Sequence, residues 1–220
     1  SSCSCFANCT LALYCLIKAK AKPQKKLVIL PSWTFTATAH AVVLAGLKPY
    51  FIDVDEDNQM ISHDILANVD ETILSKTSLI ISTSAFGSPL DQKHLREAEN
   101  DLGIPIIIDG AAQIFTAKDN IFPTAISLHA TKLLGVGEGG IVMSPNSELN
   151  EKTRSFSNFG FKNGTRDSIV EGTNAKMSEF SAAIGLCQLN RYNEIFEKHM
   201  SVARMYLKIF KDNSTVKFQP

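Results

Sequence analysis

Short apolar runs alternate along the chain with stretches in which apolar residues return every three or four positions. Over residues 8–20, Leu11, Leu13, Leu16 and Ile17 fall at mostly helical spacing, and Lys22-Pro23 closes the segment. Leu27-Val28-Ile29-Leu30 is a continuous apolar run, the mark of a strand buried on both faces. Residues 36–45 predict a helix that stops at Gly46, and residues 50–54 predict the next strand. The alternation continues with a strand near 79–83, a helix over 91–102, and strands at 104–108, 125–129 and 140–143. Strands that alternate with helices need crossover connections. These are right-handed and build a mainly parallel sheet with helices on both faces. The expected fold class is therefore α/β.

The last third changes character. Residues 158–177 are polar and glycine-containing, a connection long enough that a compact domain keeps it only for a reason. Helical pattern returns over 178–189, with Ser178 placed to cap it. A stripe at helical spacing then runs through Tyr192, Ile195, Phe196, Met200, Ala203, Leu207 and Phe210. That stripe asks for a cover, and little chain remains before Pro220 to supply one.

Composition narrows the classes. The 220 residues carry 22 Lys+Arg against 22 Asp+Glu, with 45 % apolar and 20 % charged residues, close to an ordinary globular protein. The balance leaves no broad basic footprint, so nucleic acid is not an expected partner. Stretches such as 37–46 are too short to span a bilayer, and the start shows no signal-peptide pattern, so no membrane is expected. Five cysteines form no C-x-x-C pair; they read as reduced thiols of a cytoplasmic protein rather than a metal site. Asp53-Val-Asp-Glu-Asp57-Asn lacks the glycine and glutamate of a calcium loop and reads as a polar turn.

The richest segment is Ser127-Leu-His-Ala-Thr-Lys132-Leu-Leu-Gly-Val-Gly-Glu-Gly-Gly140. A strand delivers Ser127, His129 and Lys132 to the sheet edge, where open α/β sheets bind ligands. A dinucleotide fingerprint needs a helix after its glycines, and here a strand follows. The plain alternative is a tight hairpin with a solvent-exposed lysine. Upstream, Ile106-Ile107-Ile108-Asp109 puts a carboxylate at the end of an apolar strand, where it either caps the next turn or does chemistry. A lysine, a strand-end aspartate and a serine beside a glycine-rich loop together have a known use. Pyridoxal phosphate needs a Schiff-base lysine, an acid against its ring nitrogen and donors for its phosphate.

At this point the chain resembles a known family, the DegT/StrS-like sugar-nucleotide aminotransferases among the fold-type I pyridoxal-phosphate (PLP) enzymes. The resemblance covers about residues 8–191. It rests on Pro31-Ser-Trp-Thr-Phe-Thr-Ala-Thr38, Asp53-Val-Asp55, Ile108-Asp-Gly-Ala-Ala112, the 127–140 segment and Gly172-Thr-Asn-Ala-Lys-Met-Ser-Glu179. It implies that Lys132 holds the cofactor and shuttles the proton, and that Asp109 keeps the ring nitrogen protonated. It further implies that Ser127 binds the phosphate together with Thr10 and the backbone at Cys9, where a helix N-terminus favours anions. Phe35 is implied to lie against the cofactor ring, and Asn174 to reach the phosphate in the partner subunit of a homodimer with shared active sites.

Three departures stand out. Many relatives carry Gln or His three residues after the aspartate, where this chain has Ala112, with Gln113 one position later. Many also carry a histidine where this chain reads Ser84-Ala-Phe-Gly87. Relatives usually have a longer N-terminal lead and a small C-terminal domain. The expected organisation is thus a PLP-binding large domain over 1–190 with its lead incomplete, and a long helix over 191–220 leading to a missing small domain. The expected activity is amino transfer, with glutamate as donor, to a nucleotide-linked keto-hexose, feeding polysaccharide, lipopolysaccharide or glycosylated-metabolite pathways. Two rivals are a dead relative acting as a binding or regulatory protein and a PLP-dependent sugar dehydratase; relatives of the latter kind lack the lysine.

Overall fold

The computed structural model describes residues 2–162 and 164–218; Asn163, inside the expected loop, and Pro220 lie outside the described residues. The strands are β1 (Ser2–Phe6), β2 (Leu27–Pro31), β3 (Lys48–Ile52), β4 (Thr77–Thr83), β5 (Ile106–Asp109), β6 (Thr124–Ser127) and β7 (Gly140–Ser144). The helices are α1 (Cys9–Lys20), α2 (Thr36–Leu44), α3 (His63–Ala67), α4 (Glu71–Leu74), α5 (Gln92–Leu102), α6 (Ser147–Ser157), α7 (Glu179–Asn190) and α8 (Tyr192–Ile209). Among the described residues the strands form one sheet in the order β1-β7-β6-β5-β4-β2-β3. From β3 to β6 all pairings are parallel; β7 runs antiparallel to both β6 and β1. The sheet is mainly parallel, as the alternation of elements predicts.

Period-two alternation within the strands feeds two separate cores. Val28, Leu30, Leu79, Ile81, Ile107 and Val142 face the side covered by α1, α2 and α6. Ile29, Ile80, Ile106 and Ile108 face the opposite side, against Leu66 of α3 and Leu95 and Ala98 of α5. Each fully buried Ile or Leu of this kind contributes about 1.5–3 kcal/mol. Among the described residues no helix is long and apolar enough to cross a membrane.

Several boundaries differ from expectation for identifiable reasons. β3 begins at Lys48 rather than Tyr50 because backbone pairing with Leu27, not side-chain hydrophobicity, sets the start of this edge strand. β5 begins at Ile106 because Pro105 has no N–H to give; its carbonyl instead accepts from Ile80 N–H. β6 stops at Ser127, short of His129, where the chain turns toward β7. The first of the elements not foreseen is β1, whose Ser4 and Phe6 are buried while Cys3 and Cys5 face out. Another is α6, capped by Asn146 Oδ1, which accepts from Leu149 N–H at 3.0 Å.

The winding reverses in the middle of the sheet. The chain steps from β2 outward to β3, returns past β2 to β4, then proceeds the other way through β5 to β6. Reversal opens a crevice outside the carboxyl ends of β2 and β4, where ligands settle in such sheets. At the β7 end, the start of α1 is pressed against the sheet. A Cβ on Gly140 would lie 2.5 Å from Asn8 O and 2.7 Å from Cys9 N, both backbone atoms. Gly140→Ala is expected to destabilise the fold by about 1–3 kcal/mol, because neither backbone atom can swing aside. A urea midpoint unchanged from the parent protein would contradict this close approach.

Candidate active site

The carboxyl ends of β2, β4, β5 and β6 open into one cleft of about 640 Å³. Asp109, Ser127 and Lys132 line it, with the rings of Trp33, Phe35 and Phe86 around it. Each polar group arrives for a local reason. Ile106-Ile107-Ile108 buries β5 on both faces and sets Asp109, 5 % exposed, at the strand's end. Asp109 Oδ2 accepts from Thr38 Oγ1 at 2.6 Å, and Oδ1 accepts from Ala111 N–H at 3.2 Å. Burial pushes the Asp109 carboxyl above the ordinary range, while Thr38, the Ala111 N–H and the Lys132 charge pull it back.

Ser127 ends β6, and its Oγ accepts from His129 N–H at 3.2 Å. His129 braces the turn: Nδ1 accepts from Thr131 N–H at 3.3 Å, and Nε2 lies 3.6 Å from Glu138. The glycine-rich loop is a hairpin between β6 and β7, held by Gln188 of α7, whose Nε2 donates to Gly135 O at 3.0 Å. Lys132 is nevertheless half-buried rather than solvent-exposed, and among the described residues its Nζ has no hydrogen bond or ion pair. The hairpin and the site-lining lysine are thus both real.

Cys9 and Thr10 do not line the cleft; they open α1 next door. Asn8 Oδ1 caps Leu11 N–H at 2.9 Å, the first turn holds no acidic residue, and the Cys9 and Thr10 N–H groups have no partner among the described residues. Gly140, against the Asn8–Cys9 peptide, is the cross-strand partner of Ser127. The Cys9 thiol is pushed well up by burial and by the Asp109 carboxylate, against the pull of Lys132.

Other expected contacts fall elsewhere. Gln113 is buried under the site: its Nε2 donates to Ser88 O at 3.3 Å and its Oε1 accepts from Asn120 at 2.9 Å. Ala112, not Gln113, lines the cleft. Phe86, in the Ser84–Gly87 stretch, takes φ 54°. Its loop is pinned by Ser84 N–H to Asp109 O at 2.9 Å, and Gly87, at φ 93°, lies where a Cβ would sit 2.8 Å from Ala112 O. Asn174 is exposed and outside the cleft of its own chain; its Oδ1 accepts from Lys176 Nζ at 2.8 Å. The loop that carries it is tied down by Ala175 O, which accepts from Ala7 N–H at 2.8 Å. Thr38 is a site residue that strand-and-helix patterning does not reveal; its signal is the i, i+4 pair Thr34 and Thr38 at a helix start.

These residues fit pyridoxal phosphate. Among the described residues Lys132 is the cation whose charge acts on the buried carboxylate and its amine has no hydrogen bond or ion pair, while the Ser127 hydroxyl lines the cleft and two N–H groups at the start of α1 lack partners. The raised Asp109 pKa also has a consequence for the cofactor-free chain. A carboxyl that holds its proton more tightly when folded stabilises fully below the ordinary carboxylate range, near pH 4, and loses that contribution as pH rises through its raised folded value. Asp109→Asn, which never ionises, is therefore expected to gain stability relative to the parent between pH 4 and pH 8. Urea unfolding at both pH values checks this; a relative loss on raising the pH would refute it.

The chain is similar to known proteins in both sequence and fold. The chain is 32 % identical over 216 residues to dTDP-4-amino-4,6-dideoxy-D-glucose transaminase of Shigella dysenteriae, covering 95 % of this chain and 57 % of that protein. Its fold matches a solved Bacillus cereus ATCC 10987 protein described as a PLP-dependent aminotransferase, with TM-score 0.89 and 29 % identity over 97 % of this chain and 59 % of that one. It also matches DesI, solved in the presence of its TDP-sugar product, with TM-score 0.77 and 33 % identity over 88 % of this chain and 50 % of that one. The chain thus spans between half and three-fifths of these relatives' lengths. A family model matches residues 1–220 throughout, and the chain belongs to the DegT/DnrJ/EryC1/StrS aminotransferase family.

Proposed function

We propose that this chain is the cofactor-binding part, over residues 1–190, of a PLP-dependent aminotransferase that acts on a nucleotide-linked keto-hexose, with residues 191–220 leading toward a small domain. The observation that carries this reading is the unpaired Lys132 amine sharing one cleft with the buried Asp109 carboxylate. Bound there, pyridoxal phosphate supplies an electron-accepting ring and an aldehyde carbon for amine exchange. Lys132 Nζ would be the amine that holds the cofactor and the base that moves the proton of the substrate carbon. Having no ion pair to break, the amine is free for both tasks. Asp109 keeps the ring nitrogen protonated. Ser127 Oγ, Thr10 and the Cys9 N–H would hold the phosphate at the start of α1, and Phe35, on the cleft wall, would pack against the cofactor.

Glutamate is the proposed amino donor and a nucleotide-linked keto-sugar the acceptor, in keeping with relatives named for dTDP- and TDP-sugars. The product enters amino-sugar synthesis for glycans such as lipopolysaccharide, in the cytoplasm, where free cysteines stay reduced. The working unit is a homodimer in which Asn174 of one subunit completes the phosphate site of the other. Two features support this: the Asn174 loop turns its side chain away from its own cleft, and α7 leaves Phe180, Ile184, Leu186 and Leu189 uncovered.

Borohydride reduction of the intact protein with its cofactor is expected to fix the label on Lys132, and Lys132→Ala to abolish transamination of every keto-sugar nucleotide in a panel read by mass spectrometry. A label on Lys152, or none, would refute the assignment. Mixing Lys132→Ala with an inactive Asn174 variant should restore about a quarter of parental activity, because half of randomly exchanged dimers carry one intact site. No recovery after verified subunit exchange would show that both residues serve the same chain's site.

A further inference from the structure

The two oxygens of Asp109 have unequal partners. Ala111 N–H reaches Oδ1 along the chain's own turn, whereas Thr38 Oγ1 donates to Oδ2 at 2.6 Å across 71 residues of sequence. Thr38 is fully buried, in the first turn of α2, with its own N–H donating to Phe35 O. A hydroxyl has one proton. Having given it to the carboxylate, Thr38 can only accept at its 2.8 Å contact with Thr34 Oγ1. Thr34 therefore donates there, and its 3.3 Å contact with Thr83 runs from Thr83 to Thr34. The carboxylate's charge thus sets one polarity for a chain of hydroxyls, Thr83 to Thr34 to Thr38 to Asp109. The chain starts on the cleft wall, which Thr34 and Thr83 line, and ends on the buried carboxylate. Hydrogen bonds polarised in one sense strengthen one another where water is excluded.

We infer that Thr38, with Thr34 behind it, is a positioning residue: its proton holds Asp109 ionised and aimed into the cleft, so that a protonated ring nitrogen meets a charge rather than an acid. This rests on the function proposed above. The other titratable groups that face Asp109 cannot take over the task. Lys132, on the turn after β6, is committed to the cofactor, and the Cys9 thiol at the start of α1, held neutral by burial and by the carboxylate itself, supplies no charge to pair with Asp109. Burial by itself drives Asp109 toward its neutral form, leaving the Thr38 hydroxyl and the Ala111 N–H to hold the charge. Of these two the hydroxyl is the nearer, and it has a second hydroxyl to polarise it.

The test uses Thr38→Val, which removes the donor with little change of shape, and Thr38→Ser, which keeps it. In the cofactor-free protein, the Asp109 carboxyl carbon is followed by ¹³C NMR against pH and assigned with Asp109→Asn. Its titration midpoint is expected to rise by about one pH unit in Thr38→Val, as for loss of one hydrogen bond to a charged group, and to return in Thr38→Ser. In the loaded intact enzyme, Thr38→Val is expected to lower kcat about tenfold and to move the acid limb of its pH profile to higher pH. KM for the keto-sugar should stay within about twofold, because the hydroxyl touches no substrate atom. Thr34→Val leaves the Thr38 contact in place and should move the midpoint the same way by less, which covers a Thr38→Val that fails to fold. A midpoint unmoved in the threonine variants overturns the inference whatever happens to turnover. A midpoint that moves while kcat and its acid limb do not would instead remove Asp109 from the ring nitrogen, and with it the reading on which this role rests.

Discussion

A carboxylate placed at the end of an apolar strand has to be satisfied locally, and Asp109 is the point at which most of this cleft is tied together. Its side chain draws Thr38 from α2 and Ala111 from its own loop, and its carbonyl takes Ser84 N–H from the loop after β4. Three separate segments are thereby fixed to the end of β5. An unsatisfied buried charge costs several kcal/mol, so these contacts are conditions for keeping an ionisable group here at all. The same contacts hold the walls of the cleft at a fixed spacing. Structural necessity and the geometry of the site coincide in one residue.

The second constraint is the close approach of α1 to β7. With no Cβ at Gly140, the Asn8–Cys9 peptide lies against the strand at the cross-strand partner of Ser127, and the Cys9 and Thr10 N–H groups of that helix start have no partner among the described residues. A helix N-terminus with no acid in its first turn presents partial positive charge without an internal counter-charge. The winding reversal between β2 and β4 opens the cleft between these two fixed ends. Anion donors thus stand at the β7 side and the carboxylate at the centre of the sheet. A cofactor with a phosphate at one end and a basic nitrogen in its ring suits that polarity.

Much of this was legible in the sequence where burial on both faces writes a continuous apolar run. Leu27–Pro31 and Ile106–Asp109 stand out for that reason, and so does the position of Asp109 as a strand-end carboxylate. Where an element buries only one side the signal weakens. The β1 strand spells Ser-Cys-Ser-Cys-Phe, and α6 offers only Leu149 and Phe156 as large buried apolar positions, so neither forms a visible period. Thr38 was hidden for a different reason: the local i, i+4 pair with Thr34 is visible, but the carboxylate it serves is 71 residues away, and no local pattern records that contact. Gln113 shows the converse. Its sequence position, one past the Gln or His of many relatives, left its role open; the side chain is engaged beneath the loop by Ser88 and Asn120, and Ala112 presents only a methyl group to the cleft.

Cys9 shows how these constraints act on one another. A thiol at a helix N-terminus ordinarily ionises more readily, because the helix dipole favours the thiolate. Here burial and the Asp109 carboxylate act in the opposite sense and push the thiol well up. The outcome follows from position: the close approach that brings α1 to the sheet also places the half-buried side chain of its first residue near an existing negative charge. A protonated Cys9 leaves the N–H groups of the first turn without a protein anion to serve. It also leaves Asp109 without a second negative neighbour that would compete for Lys132. Had the thiol ionised, the helix start would have been neutralised from within and the carboxylate driven further toward its acid form. A neutral Cys9 thus leaves the start of α1 its partial positive charge and adds no negative charge beside Asp109.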